Sequence, residues 1–191
     1  EGEKSNLQQS WAVEEGDGFR RLKERMKADL FRKSTLPEAA LENWQSSVFR
    51  TAARCFNPTF SHPGNSSQVV VGRVQAGKTS SFTGLIRLLA DNSYRVFIVV
   101  AGTSTNLRDQ TFDRLSVDLS DSQDLEIVRT GQNFDARLEA QNLVNKMRRW
   151  TSTSKPNNFL ELNEKSIVYV ALKSTKAHLD SLLDMLNIVG A

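Results

Sequence analysis

Residues Gly72 to Thr79 read GRVQAGKT, with a glycine at the first and sixth positions and Lys-Thr at the end. The apolar run Val69–Val71 precedes these residues, and the stretch after them carries apolar side chains at helical spacing. We therefore predict a strand, a tight turn and a helix in direct succession. This succession is typical of α/β folds.

The rest of the chain repeats the alternation of short β-branched runs with amphipathic stretches. Strands are predicted at Gln68–Val71, Arg95–Ala101, Leu125–Val128 and Ser166–Ala171, and helices at Lys78–Asp91, Thr105–Leu119, Asn133–Trp150 and Thr175–Leu186. Such alternation predicts a parallel sheet with helices on both faces.

Two more amphipathic stretches precede this pattern, Gly18–Lys33 and one that begins at Pro37 and ends before Pro58. Residues 1–16 are polar and are interpreted as a loose arm. The predicted organisation is therefore a flexible arm and helical preface over residues 1–64. A RecA-like P-loop lobe follows over residues 65–191.

The spacing G-x-x-x-x-G-K-[S/T] suits a loop that holds a polyphosphate. Backbone N–H groups at the positive end of a helix bind anions, and glycines let the loop approach them closely. Lys78 is the candidate catalytic residue, because its charge would lie against the β- and γ-phosphates, and Thr79 is the candidate Mg²⁺ ligand. The predicted ATP-binding residues are Gly72, Arg73, Val74, Gln75, Ala76, Gly77, Lys78, Thr79 and Ser80.

A complete P-loop NTPase also needs an acidic residue at a strand end to hold Mg²⁺ through water. None is visible: the strand Ser166–Ala171 is followed by Leu172 and Lys173. We expect the acid to lie beyond Ala191, and we predict that this chain binds nucleotide better than it hydrolyses it.

Charge and cysteine content set weaker limits. Lys and Arg exceed Asp and Glu by three, which is compatible with phosphate contacts and equally with an ordinary protein surface. The single Cys55 excludes an internal disulfide and favours a reducing, cytoplasmic location. No apolar run is long enough to span a membrane. Apolar side chains at Leu182, Leu183, Leu186 and Ile188 need burial, so self-association is a further expectation.

The stretch from Val69 to Leu115 resembles the family of proteins with the Z-one domain, a helicase-like group named as endonucleases and associated with bacterial restriction and phage-defence operons. The resemblance rests on the phosphate loop, on Ser-Phe-Thr-Gly at 81–84, on Ala-Gly-Thr at 101–103 and on Asn-Leu-Arg-Asp-Gln at 106–110. It covers about a quarter of the chain densely.

The wider resemblance is to the first motor lobe of superfamily two helicases. It implies that Thr103, Ser104, Asn106 and Gln110 contact a nucleic-acid backbone, as hydroxyls and amides at a helix N-terminus can. The alternative is that Ser104 or Thr105 only caps the following helix. The turns Thr130–Gly131 and Lys173–Thr175 are weaker candidates for the same contact.

Together these features predict the ATP-binding lobe of a helicase-like enzyme that acts on DNA rather than RNA in bacterial defence, with ATP and Mg²⁺ as cofactors. Its partners would be nucleic acid and downstream domains of the same polypeptide, including a second lobe with an arginine finger. The alternative is a nucleotide-gated binding or scaffold module. A small-molecule kinase would need an Arg-rich lid, which the sequence lacks. Nothing in the sequence supports nuclease activity of this chain.

Overall fold

The computed structural model describes residues 13–33, 38–58, 78–120, 124–130, 135–152, 166–171 and 176–190. Its elements are α1 (Asp17–Lys33), α2 (Glu38–Ala52), α3 (Lys78–Asp91), β1 (Val96–Val100), α4 (Thr105–Asp118), β2 (Leu125–Arg129), α5 (Ala136–Ser152), β3 (Ser166–Ala171) and α6 (Lys176–Gly190). They form two compact units, one ending at Tyr94 and one beginning at Arg95. The α/β class is confirmed. The predicted strand Gln68–Val71 and the domain boundary at residue 64 lie outside the described residues.

The first unit is helical, with α1 and α2 packed on α3. Its aromatic core forms around Phe19, whose ring is fully buried and stacks on Trp44 at 5.4 Å between centroids and 3° between planes. Phe49 meets the same Phe19 ring edge-on at 5.5 Å. The apolar positions that predicted two amphipathic helices therefore converge on one cluster.

The beginning of α1 is fixed to the end of α3. The backbone N–H of Phe19 donates to Asp91 Oδ2 at 2.8 Å, and Asp91 forms a buried ion pair with Arg87. Gly18 lies so close to the Arg87 guanidinium that a Cβ atom at this position would overlap it. The absent side chain at Gly18 thus allows this close packing of the two helices.

The second unit contains a parallel sheet with the strand order β1-β3-β2 in the described part of the chain. Val96 pairs with Ile167 at the start of β1, and Leu125 pairs with Ser166 at the start of β2. All six residues of β3 are buried, whereas β1 and β2 are only partly buried. The continuous apolar sequence SIVYVA suits this central position, because a strand covered on both faces has no polar side.

Helices cover both faces of this sheet, as predicted. Helices α5 and α6 share a core with the alternate β3 residues Ile167, Tyr169 and Ala171, and Met185 of α6 is fully buried in it. Helix α4 contacts β2 and β3. Val128 of β2 packs on the core beneath α5 and α6, so the next residue, Arg129, points to the opposite face of the sheet. On that face, Arg129 contacts the Phe112 ring of α4. The crossover from β1 to β2 and the crossover from β2 to β3 run in opposite directions along the sheet. Since both are right-handed, they place α4 and α5 on opposite faces.

Most predicted boundaries agree with the structure to within a few residues. Helix α5 begins at Ala136 rather than Asn133, because Asp135 caps it by accepting from the N–H groups of Arg137 at 2.9 Å and Leu138 at 3.1 Å. Helix α2 ends at Ala52 and is followed by a turn, and α6 continues to Gly190.

On α6, Leu182 is buried while Leu183, Leu186 and Ile188 are exposed, so self-association stays a prediction.

Candidate nucleotide and nucleic-acid site

Helix α3 begins at Lys78, inside the phosphate-loop motif. The first-turn N–H groups of a helix have no partner within the helix, and the helix dipole makes this end positive. Lys78, Thr79 and Ser80 form this first turn. The candidate ligands Gly72, Arg73, Val74, Gln75, Ala76 and Gly77 lie outside the described residues, as do the side chains of Lys78 and Thr79. The described end of the motif therefore coincides with the start of a helix.

Trp44 contacts this first turn, although it lies on another helix. Its indole N–H donates to the backbone carbonyl of Ser80 at 3.0 Å. Gly84 lies beneath the same ring, and a Cβ at this position would overlap Trp44 Cζ2. The sequence offers one sign of this contact, the glycine inside the predicted helix. Glycine is a poor helix former, and its place there indicates that another group approaches the helix closely.

In the second unit, the turn from β1 into α4 is built around Gly102. Its φ of +70° lies in the left-handed region that favours glycine, and a Cβ here would lie 2.9 Å from Leu107 Cδ1. The N–H of Ala101 donates to the carbonyl of Ala171 at 2.9 Å, which fixes the end of β1 to the end of β3. The α4 N-terminus therefore lies at the carboxyl edge of the sheet, where α/β proteins bind ligands.

Ser104 is the N-cap of α4, since its side chain accepts from the N–H of Leu107 at 3.3 Å. The capping alternative is thus observed. Accepting this bond still leaves the hydroxyl hydrogen of Ser104 as a donor, and the side chain is exposed. Capping and contact with a phosphate are compatible roles.

Thr103, Asn106 and Gln110 are also exposed. Asn106 and Gln110 are four residues apart on α4, so their amides lie on the same face of the helix. With Thr103 and Ser104 they are neutral hydrogen-bonding groups near the start of α4, and we call these four residues the α4 strip (Thr103, Ser104, Asn106 and Gln110). All four predicted nucleic-acid residues are thus accessible to solvent.

Two charged residues inside the Asn-Leu-Arg-Asp-Gln stretch have a structural role that the sequence did not reveal. Arg108 is buried; it donates to the Thr130 carbonyl at 2.7 Å and to Asp109 Oδ1 at 2.9 Å. Thr130 is itself bound to β3, because both its N–H and its hydroxyl donate to the Val170 carbonyl. Arg108 therefore anchors α4 to the end of β2. The Thr130 hydroxyl, a weaker candidate for a strand contact, is engaged inside the fold.

Arg129 lies beside this anchor. Its guanidinium is 5.3 Å from the centroid of the Phe112 ring and 3.4 Å from Asp109 Oδ1, and its side chain is 49% exposed. Hydrogen bonding from Arg108, with a smaller contribution from Arg129, lowers the pKa of Asp109 below its usual value. The carboxylate is thus held ionised between two guanidiniums, and the cluster keeps one net positive charge.

No acidic residue terminates a described strand: β1 is followed by Ala101, β2 by Thr130, and β3 ends at Ala171. Within the same described ranges, no three His, Cys, Asp or Glu side chains are grouped as metal ligands. The acid expected for a Mg²⁺-dependent hydrolase is accordingly not supplied by the strand ends seen here.

No protein-family model, curated protein or solved structure matches this chain. Among the helices that the structure describes, none is long and apolar enough to cross a lipid bilayer.

Proposed function

We propose that this chain is the ATP-binding lobe of a helicase-like NTPase that acts on DNA, as its resemblance to defence-associated helicase-like proteins suggests. The observation that carries the proposal is the complete phosphate-loop spacing at 72–79 together with the start of α3 at Lys78. The motif and the helix N-terminus coincide, and this is what the chemistry of phosphate binding needs.

The roles of individual residues follow from their chemistry. The first-turn N–H groups of α3 would donate to phosphate oxygens, and Lys78 would neutralise the charge of the terminal phosphates. Thr79 would place a hydroxyl against Mg²⁺. When bound, the metal neutralises phosphate charge. Lys78 would also act in catalysis, by offsetting the negative charge that grows on the phosphates in the transition state.

The α4 strip supports the nucleic-acid part of the proposal. Its hydroxyls and amides are accessible, they sit at a helix N-terminus, and Arg108 holds that helix end in place from beneath. Neutral donors at a helix start bind backbone phosphates without reading sequence. Such contacts suit a motor, which must grip any sequence that it moves along.

A nucleotide-gated binding module is the second candidate, and the non-acidic strand ends favour it. Without a carboxylate at Ala101, Thr130 or Ala171, the described sheet edge holds no group that positions an attacking water through Mg²⁺. Such a module would bind ATP and change its affinity for a partner without turnover.

Measuring ATP turnover with and without single-stranded and double-stranded DNA separates these candidates. A motor lobe, supplied with any domains that complete it, is expected to hydrolyse ATP faster when DNA is present, because strand binding favours the hydrolysis-competent state. ATP binding with turnover that DNA leaves unchanged would instead identify the gated module.

A further inference from the structure

We propose that Trp44 is a positioning residue for the phosphate-loop helix, so that α1 and α2 set the nucleotide affinity of α3. This inference rests on the proposed nucleotide-binding function. It assigns the helical preface a part in the binding site, rather than the role of an attached appendage.

The first step is the hydrogen bond from the Trp44 indole to the Ser80 carbonyl, at 3.0 Å. Ser80 lies two residues after Lys78, in the helical turn whose N–H groups point toward the proposed phosphates. A peptide unit is rigid and planar, so fixing one carbonyl restricts the orientation of its neighbours in the same turn. Trp44 thereby orients the groups that would bind phosphate.

The second step is the access that Gly84 provides. Gly84 lies one turn after Ser80, and it is buried with the indole ring directly over its Cα. Any larger residue here would displace the ring from Ser80. Gly84, the glycine of the Ser-Phe-Thr-Gly stretch, thus leaves room for the Trp44 ring to reach the backbone of α3.

The third step is that Trp44 has little freedom of its own. Its ring stacks on Phe19 at 5.4 Å, and the backbone of Phe19 donates to Asp91 at the opposite end of α3. The preface therefore holds α3 near both ends, at Ser80 and at Asp91. A rotation of α3 on nucleotide binding would be opposed by α1 and α2.

Trp44→Phe tests the inference, because it keeps an aromatic ring beside Phe19 but removes the indole N–H, together with the fused ring that packs on Gly84. We expect fluorescently labelled ADP to bind about fivefold more weakly, because this one hydrogen bond would stabilise the binding-competent orientation of the first turn over its alternatives. Gly84→Ala should produce a similar loss by displacing the ring, and it serves as the second variant if Trp44→Phe folds poorly.

Phe49→Leu is the matched control. It loosens the same aromatic cluster through Phe19 without touching Ser80, so it should lower the unfolding midpoint while leaving the ADP affinity unchanged. In the wild type, the indole N–H resonance that disappears in Trp44→Phe should shift when ADP is added.

Wild-type ADP affinity in both Trp44→Phe and Gly84→Ala would overturn the inference. Equal weakening by Phe49→Leu would also overturn it, since general loosening would then explain the effect. Failure of the underlying function is seen separately: the wild type and Lys78→Ala would then bind ADP equally poorly.

Discussion

Single residues carry two roles at the start of α4, and Ser104 shows this best. Its side chain caps the helix, as the N–H bond from Leu107 demonstrates, and its exposed hydroxyl can also meet a phosphate. An alanine substitution would remove both roles together. An aspartate separates them, because Asp caps helices as well as Ser does but repels phosphates.

We expect Ser104→Asp to keep or slightly raise the free energy of unfolding, since a negative charge favours a helix N-terminus. Its affinity for single-stranded DNA should fall about tenfold at low salt, through repulsion at the contact. Fluorescence anisotropy with a labelled oligonucleotide measures this. Asn142→Asp, exposed on α5, adds the same charge on the other face of the sheet and should bind nearly as the wild type does. Equal affinities in both variants would exclude Ser104 from the DNA contact.

Residue roles were predictable where the chemistry is local and unpredictable where a side chain reaches across the fold. The capping of α4 by Ser104 follows from its place before a helix. Arg108 and Asp109 lie in a stretch whose charges look solvated, yet Arg108 is buried because the end of β2 passes beneath it and offers the Thr130 carbonyl. That partner is separated from Arg108 by 22 positions, so no local pattern indicates it.

At the scale of elements, two connections in the described part of the chain contain a residue with positive φ. Gly102 has φ +70° in the turn into α4, and Ser93 has φ +71° in the turn after α3. This conformation costs a residue other than glycine about 1–2 kcal/mol. Glycine, the preferred residue for this conformation, is therefore already present at position 102, whereas position 93 has a serine.

Opposite substitutions at these two positions should have opposite effects. Gly102→Ala is expected to lower the free energy of unfolding by about 1–2 kcal/mol. Ser93→Gly should raise it by about 0.5 kcal/mol, after allowance for the greater freedom of glycine in the unfolded chain. Urea denaturation of both variants beside the wild type measures the difference. Stability changes of the same sign would show that backbone conformation does not govern these turns.

The elements themselves were largely predictable, because hydrophobic periodicity reports which face of each segment is buried. Strand β3 was placed at the correct residues, 166–171, from its unbroken apolar run. Its central position between β1 and β2 was not predicted, since strand order depends on pairings between distant segments. The same limit explains why Gly84 was not connected with Trp44, which lies on another helix.

At the scale of the whole molecule, each compact unit contains one part of the proposed chemistry. The unit ending at Tyr94 contains the helix that begins in the phosphate-loop motif, held by the aromatic preface. The unit beginning at Arg95 contains the sheet edge with the α4 strip. The α/β class and the helices on both faces were foreseen from alternating segments, whereas the close packing of the preface on α3 was not.

The central claim is that the motif at 72–79 binds nucleotide, and calorimetric titration of ATP with Mg²⁺ into the wild type and Lys78→Ala tests it most directly. The account predicts that Lys78→Ala loses ATP binding while its unfolding midpoint stays unchanged, because in the proposed site the lysine charge would face the terminal phosphates rather than the core. Arg50→Ala, which removes an exposed positive charge from α2, should bind ATP as the wild type does. Equal ATP affinity in Lys78→Ala and the wild type would contradict the phosphate-loop assignment and, with it, the proposed function.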